Sequence, residues 1–183
     1  MENNNSNNKS SGNAFSVFVI GMHEFVELLA FTLLAILLLT TFICQHSVVV
    51  GPSMENTLEN GEHLIISDLF YTPAQGDIIV FQDLTKKDNA MVKRIIAIGG
   101  QHVKVTSNEV YVDGIKINEE YVYLDTDRPQ SYRECEITVP EGYLFVLGDH
   151  RNNSTDSSSF GVIDQRSVLG KVWIRLSPFK FFN

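Results

Sequence analysis

Hydrophobic and polar positions follow three different rules along this chain. Residues 1–13 are mostly Asn and Ser with almost no apolar side chain. Such a composition buries too little to offset the entropy of ordering, and it predicts a disordered tail. Residues 28–44 then run for 17 positions without a charge, with three successive leucines at Leu37, Leu38 and Leu39. An apolar surface on all sides of a helix suits lipid better than a one-sided protein core, so residues 14–46 are predicted to form a membrane-anchor helix. From Ser47 onward the apolar positions break into short segments divided by turn residues, which predicts strands rather than helices.

The segments can be placed one by one. Residues 77–81, Asp-Ile-Ile-Val-Phe, read as a buried strand after a turn at 73–76, and residues 102–105 alternate. A turn at 107–109 leads into Val110, Tyr111 and Val112, and Asp113-Gly114 is a strong hairpin signal before the return at 115–117. Residues 137–139 and 143–147, joined by Pro140-Glu141-Gly142, read as another hairpin, and residues 168–176 as a last strand. The expected fold is mainly β. A transmembrane helix precedes an all-β domain over 47–183, built of folded-over sheets or barrels.

Charge and cysteine usage narrow the function classes. A cleavable secretory signal would have an apolar stretch of about 7–15 residues followed by a small-x-small site. The run here is longer, and Cys44-Gln45-His46-Ser47 offers no such site, so the anchor is expected to stay attached. Lys9 and the terminal amine face Glu2 before the anchor, whereas residues 45–183 hold 13 Lys and Arg against 19 Asp and Glu. The positive-inside rule then puts the N-terminus in the cytoplasm and the β domain outside, in a single-pass arrangement with the lipid bilayer as a partner. A net charge of −8 argues against nucleic acid as a partner. Cys44 and Cys135 form no Cys-x-x-Cys pattern and the five histidines are scattered, so no metal and no cofactor is assigned.

Three polar constellations carry candidate chemistry. Ser53 follows Gly51-Pro52 at the end of the apolar triplet 48–50. Taken alone it is most simply a turn serine. Lys93 lies in Met91-Val92-Lys93-Arg94-Ile95-Ile96. On a strand, Met91, Lys93 and Ile95 share one face while Val92, Arg94 and Ile96 share the other. A lysine desolvated in such a setting loses proton affinity, and its neutral amine becomes available as a base. A snorkelling edge lysine is the plainer alternative. The third constellation is the polar stretch 148–157, Gly-Asp-His-Arg-Asn-Asn-Ser-Thr-Asp-Ser, directly after an apolar strand.

Together and in this order, Ser53-Met54-x-x-Thr57-Leu58, the segment 76–81, Lys93-Arg94 and the loop 148–161 resemble type I signal peptidases, the small bacterial form with one N-terminal anchor. The resemblance implies a serine endopeptidase that removes signal peptides from exported preproteins. In it Ser53 is the nucleophile and Lys93 the base, and the reaction passes through an acyl-enzyme. It also implies that Ser154 hydrogen-bonds the lysine amine, with Asp149, Arg151 and Asp156 buttressing it beside Arg94. A second oxyanion donor would lie near Gly51, and Met54, Leu58 and Val92 are expected to wall the substrate pockets. The chain departs from the family pattern at Asn56, where proline is usual, at Gly99-Gly100-Gln101, at His150 in place of asparagine and at Ser158 in place of arginine. Without that arginine, Arg151 or Arg94 is the expected partner of Asp156. Two other classes remain open at this point: a non-catalytic membrane-tethered β-domain that binds exported chains, and a Ser–Lys protease of different specificity.

Overall fold

The computed structural model describes residues 7–42, 45–82, 90–125 and 132–182. The chain divides into two units, residues 1–41 and 42–183. The first is a single helix, α1 (Asn7–Phe42). Within it Val17–Thr40, 24 residues of mean hydropathy 2.0 with none buried, is long and apolar enough to cross a membrane. The helix starts earlier than the expected boundary at 14, because extending an existing helix costs far less than nucleating one, even through Asn and Ser. It also stops earlier than expected. Gln45 and His46, assigned to the anchor by sequence, belong to strand β1 (Gln45–Val48). Residues 1–6 of the expected tail lie outside the described residues.

The second unit is β-rich, as the segment pattern predicts. Its large antiparallel sheet contains β1, β2 (His63–Ser67), β3 (Ile78–Gln82), β4 (Ala90–Ile98), β9 (Tyr143–Leu147), β10 (Ile163–Asp164), β11 (Val168–Leu176) and β12 (Phe179–Phe181). The order is β1-β2-β11-β3-β4-β9-β10, with β12 also on β11. The smaller sheet has the order β7-β6-β5-β8, from β5 (His102–Val105), β6 (Val110–Val112), β7 (Ile115–Lys116) and β8 (Cys135–Thr138).

One hairpin expectation needs correction and one holds. The segments on either side of Pro140-Gly142 are not a hairpin: β8 pairs with β5 in the small sheet and β9 with β4 in the large one. Val139 instead bonds Gln101 and Gly100, so the turn is a corner where the chain changes sheets. Turn residues fix a local reversal, but not which strand each arm then meets. The hairpin at Asp113-Gly114 does form, and both residues adopt positive φ (52° and 79°), as a two-residue turn of matching twist requires.

Burial explains the site's rigidity. β3 is covered on both faces, with Ile78 and Val80 in one apolar cluster and Ile79 and Phe81 in another; hence its uninterrupted apolar sequence. Its neighbour β4 carries Lys93 directly opposite Ile79, flanked along the strand by Met91 and Ile95. A register shift beyond Ile95 breaks the alternation. Ile96 therefore joins a third cluster, between the sheets, with Phe145, Val103 and Val112.

Candidate active site

Ser53 sits on a series of turns that leaves the first sheet after β1. Glu55 N–H donates to Pro52 O, and both Thr57 and Leu58 donate to Met54 O. The apolar side of these turns is nailed down: Met54 and Leu58 are fully buried against Val49, Leu64, Ile78, Val80 and Val92. This corrects the expectation that Met54 and Leu58 wall an open pocket, because burial leaves them no surface to offer. Val92 retains 9% exposure. Asn56 adopts φ 79°, which a proline ring cannot reach, so the departure from proline at this position matches the backbone found here.

Lys93 reaches this turn from β4. Its Nζ lies 2.6 Å from Ser53 Oγ and donates to Val92 O at 3.0 Å. Only 3% of the residue is exposed. Burial lowers its pKa from 10.5 to about 8, against the pull of the Asp156 and Asp149 carboxylates, which favour the ammonium. Desolvation wins, so the neutral amine is far more populated near neutral pH than in a solvated lysine. A neutral amine within hydrogen-bond reach of a serine hydroxyl can take its proton.

The third constellation holds both. Gly148 packs against the backbone of Ser53: a Cβ there would stand 2.2 Å from Ser154 Oγ and 2.5 Å from Ser53 O. Next to it, His150 N–H donates to Ser53 O at 3.1 Å. Asp149, fully buried, takes a two-pronged contact from Arg94 (Nε–Oδ1 2.9 Å, Nη2–Oδ2 2.6 Å). Arg151 donates to Gly148 O and clasps Glu119 with both terminal nitrogens.

Asp156 has found neither arginine, contrary to expectation. It caps the short helix α2 (Ser157–Phe160), accepting from Ser158 N–H and Ser158 Oγ, and it also accepts from Gly148 N–H. The serine that stands where an arginine was expected supplies two of those donors itself, and the arginines are occupied by Asp149 and Glu119. Ser154 does not bond the lysine amine: its Oγ is buried and has no hydrogen-bond partner among the described residues. Gly51 N–H is engaged by Asn60 Oδ1 at 2.9 Å, which removes it as an oxyanion donor in this conformation.

Sequence reasoning missed the strand-like strap at 119–125. Tyr123 bonds Asp149 O and Arg151 N–H through its backbone, and Tyr121 lies under the Arg94 guanidinium, 3.9 Å from ring centroid to Cζ. Glu119, Tyr121, Tyr123 and Asp125 carry no motif, and the only signal in Glu-Glu-Tyr-Val-Tyr-Leu-Asp is a short alternation of polar or aromatic positions with Val122 and Leu124.

A serine held against a desolvated lysine, on a rigid β scaffold, has the features of a hydrolase that uses a hydroxyl nucleophile. The family model for signal peptidase, peptidase S26, matches residues 22–177, and the chain belongs to that family of serine peptidases. It is 36% identical over 165 residues to a probable signal peptidase I-1 of Synechocystis, covering 85% of this chain and 82% of the relative. It is 38% identical over 157 residues to signal peptidase I of Bacillus caldolyticus, covering 79% and 85%. A crystal structure of a signal peptidase I from Enterococcus faecalis V583 is 30% identical, with a TM-score of 0.49 over 55% of this chain and 97% of that one.

Proposed function

We propose that this protein cleaves signal peptides from exported preproteins by a Ser53–Lys93 dyad. The 2.6 Å approach of Lys93 Nζ to Ser53 Oγ in a buried setting carries the reading. Neutral Lys93 takes the hydroxyl proton as Ser53 Oγ attacks the scissile carbonyl, and the ammonium returns a proton to the departing amine. Water, deprotonated by the same amine, then hydrolyses the acyl-enzyme. The developing oxyanion faces the Ser53 N–H; Pro52 has no N–H, and that of Gly51 is already engaged. Val92, beside the dyad and not fully covered, remains the candidate pocket wall among the three named by sequence.

The apolar helix would hold the enzyme in the bilayer with its N-terminus cytoplasmic and the β-rich unit outside. Ser53 lies nine residues beyond Cys44, so even an extended connection reaches only about 30 Å, which suits a substrate anchored in the same membrane. The test is cleavage of an Ala-x-Ala precursor by detergent-solubilised full-length protein. Product is expected from wild type, with Ser53→Ala and Lys93→Ala each abolishing it, since nucleophile and base act as a unit. Undiminished cleavage by either variant sinks the dyad.

A further inference from the structure

The reaction scheme above gives no role to His150, yet this side chain meets the turn that carries Ser53 at both Pro52 and Glu55. The residue is 1% exposed. Its backbone N–H donates to the carbonyl of Ser53. Its ring reaches both sides of the serine: Nδ1 lies 3.2 Å from Pro52 O and 2.9 Å from Glu55 Oε2. Both of these are acceptors, so Nδ1 carries a proton. On the far side Nε2 lies 3.1 Å from Asp125 Oδ2, and the ring meets Tyr123 edge-on at 4.8 Å. One imidazole thus spans from the strap at 123–125 to residues 52 and 55, and its own main chain holds residue 53.

We propose that His150 is a positioning residue for Ser53, acting through its Nδ1 side by fixing the turn at Pro52 and Glu55. The claim rests on Ser53 being the nucleophile. The physical reason is that Oγ must stay within reach of an amine whose own position is set by a separate strand. Ser53 and Lys93 are 40 residues apart in sequence and on different elements. A shift of about 1 Å between nucleophile and base can cost about a hundredfold in rate, and Pro52 has no N–H with which to secure itself. Asparagine at 150 would put an amide where Nδ1 stands; glutamine would put it where Nε2 stands and leave Pro52 O and Glu55 without their donor. The two substitutions therefore separate the two sides of the ring.

The experiment measures kcat and KM of full-length wild type, His150→Asn, His150→Gln and Ser53→Ala in detergent on an Ala-x-Ala peptide, corrected for the folded fraction by thermal melting. His150→Gln is expected to lose about tenfold or more in kcat with KM within about twofold, while His150→Asn keeps kcat within about threefold. Equal kcat in the two variants, whether both high or both low, overturns the proposal, as does a glutamine variant faster than the asparagine one. If His150→Gln does not fold, Glu55→Ala takes its place on a partly exposed side chain. A fall of about threefold in kcat with KM unchanged supports the positioning role, and unchanged kcat overturns it. Ser53→Ala separates the levels: wild-type cleavage that survives in Ser53→Ala removes the nucleophile and this proposal with it. Cleavage lost in Ser53→Ala but indifferent to residue 150 removes the positioning role alone.

Discussion

At the residue scale the decisive contest is between Lys93 and the solvent it has lost. An ammonium in an apolar pocket is costly, and the nearby carboxylates of Asp149 and Asp156 relieve only part of that cost, leaving the pKa at about 8 instead of 10.5. Below about 8 both the folded and the unfolded chain carry the proton, and folding bears the full desolvation penalty. Between about 8 and 10.5 the unfolded chain holds the proton and the folded chain does not, so this group's contribution to stability improves as pH rises. Lys93→Met should therefore melt above wild type at pH 7, and the gap should shrink as pH climbs through that window. A gap that is constant or widens with pH would mean that the lysine is not desolvated as found. Asp156 tests the opposing term. It is the first of the two carboxylates favouring the ammonium, so Asp156→Asn should move the acid limb of the pH–rate profile to lower pH, and a shift to higher pH would contradict the assignment.

At the element scale, the loop after β9 works by close approach. Gly148 leaves room for Ser53 O and Ser154 Oγ, and while the hydroxyl can rotate away from an added methyl, the carbonyl cannot. Gly148→Ala is expected to destabilise by about 1–3 kcal/mol, the range for overpacked sites, and to cut turnover by displacing Ser53. Wild-type melting with wild-type turnover would show the contact to be loose. Removing Asp156 altogether strips the cap from α2 and leaves the buried Gly148 N–H unpaired. The expected loss for Asp156→Ala is about 1–3 kcal/mol, read by chemical denaturation, and a loss near zero would make it a solvated loop residue. These contacts mark where the sequence stopped being legible. Ser53 and Lys93 are legible because both match a family motif; only Lys93 also interrupts an apolar segment, whereas Ser53 by itself reads as a turn serine. The partners of Asp156, the arginine–tyrosine stack under Arg94 and the clamp at His150 depend on which loops fold against each other. Loops carry no periodicity from which to read that. The same reason explains the false hairpin at Pro140-Gly142, where a correctly read turn joins strands of different sheets.

At the scale of the whole molecule, an apolar helix and a β-rich unit form separate compact bodies, which suggests that the chemistry and its confinement to a membrane can be uncoupled. The observed start of β1 at Gln45, paired along its length with β2, sets where the cut belongs: deletion of residues 1–42 keeps that strand whole, and deletion through 46 removes half of it. The 1–42 deletion should cleave a short soluble peptide at the full-length rate and process a liposome-held precursor less efficiently, since the anchor raises the local concentration of enzyme at its substrate. Equal efficiency on the liposome substrate would leave the anchor no part in capture. The most direct test of the central claim, that a desolvated Lys93 activates Ser53, is the pH dependence of peptide cleavage by the full-length enzyme. The rate should rise with pH through a midpoint of about 8, as the lysine gives up its proton. An acid limb centred near the free imidazole value of about 6.5, or a rate that falls as pH rises from neutral to about 8, would contradict it.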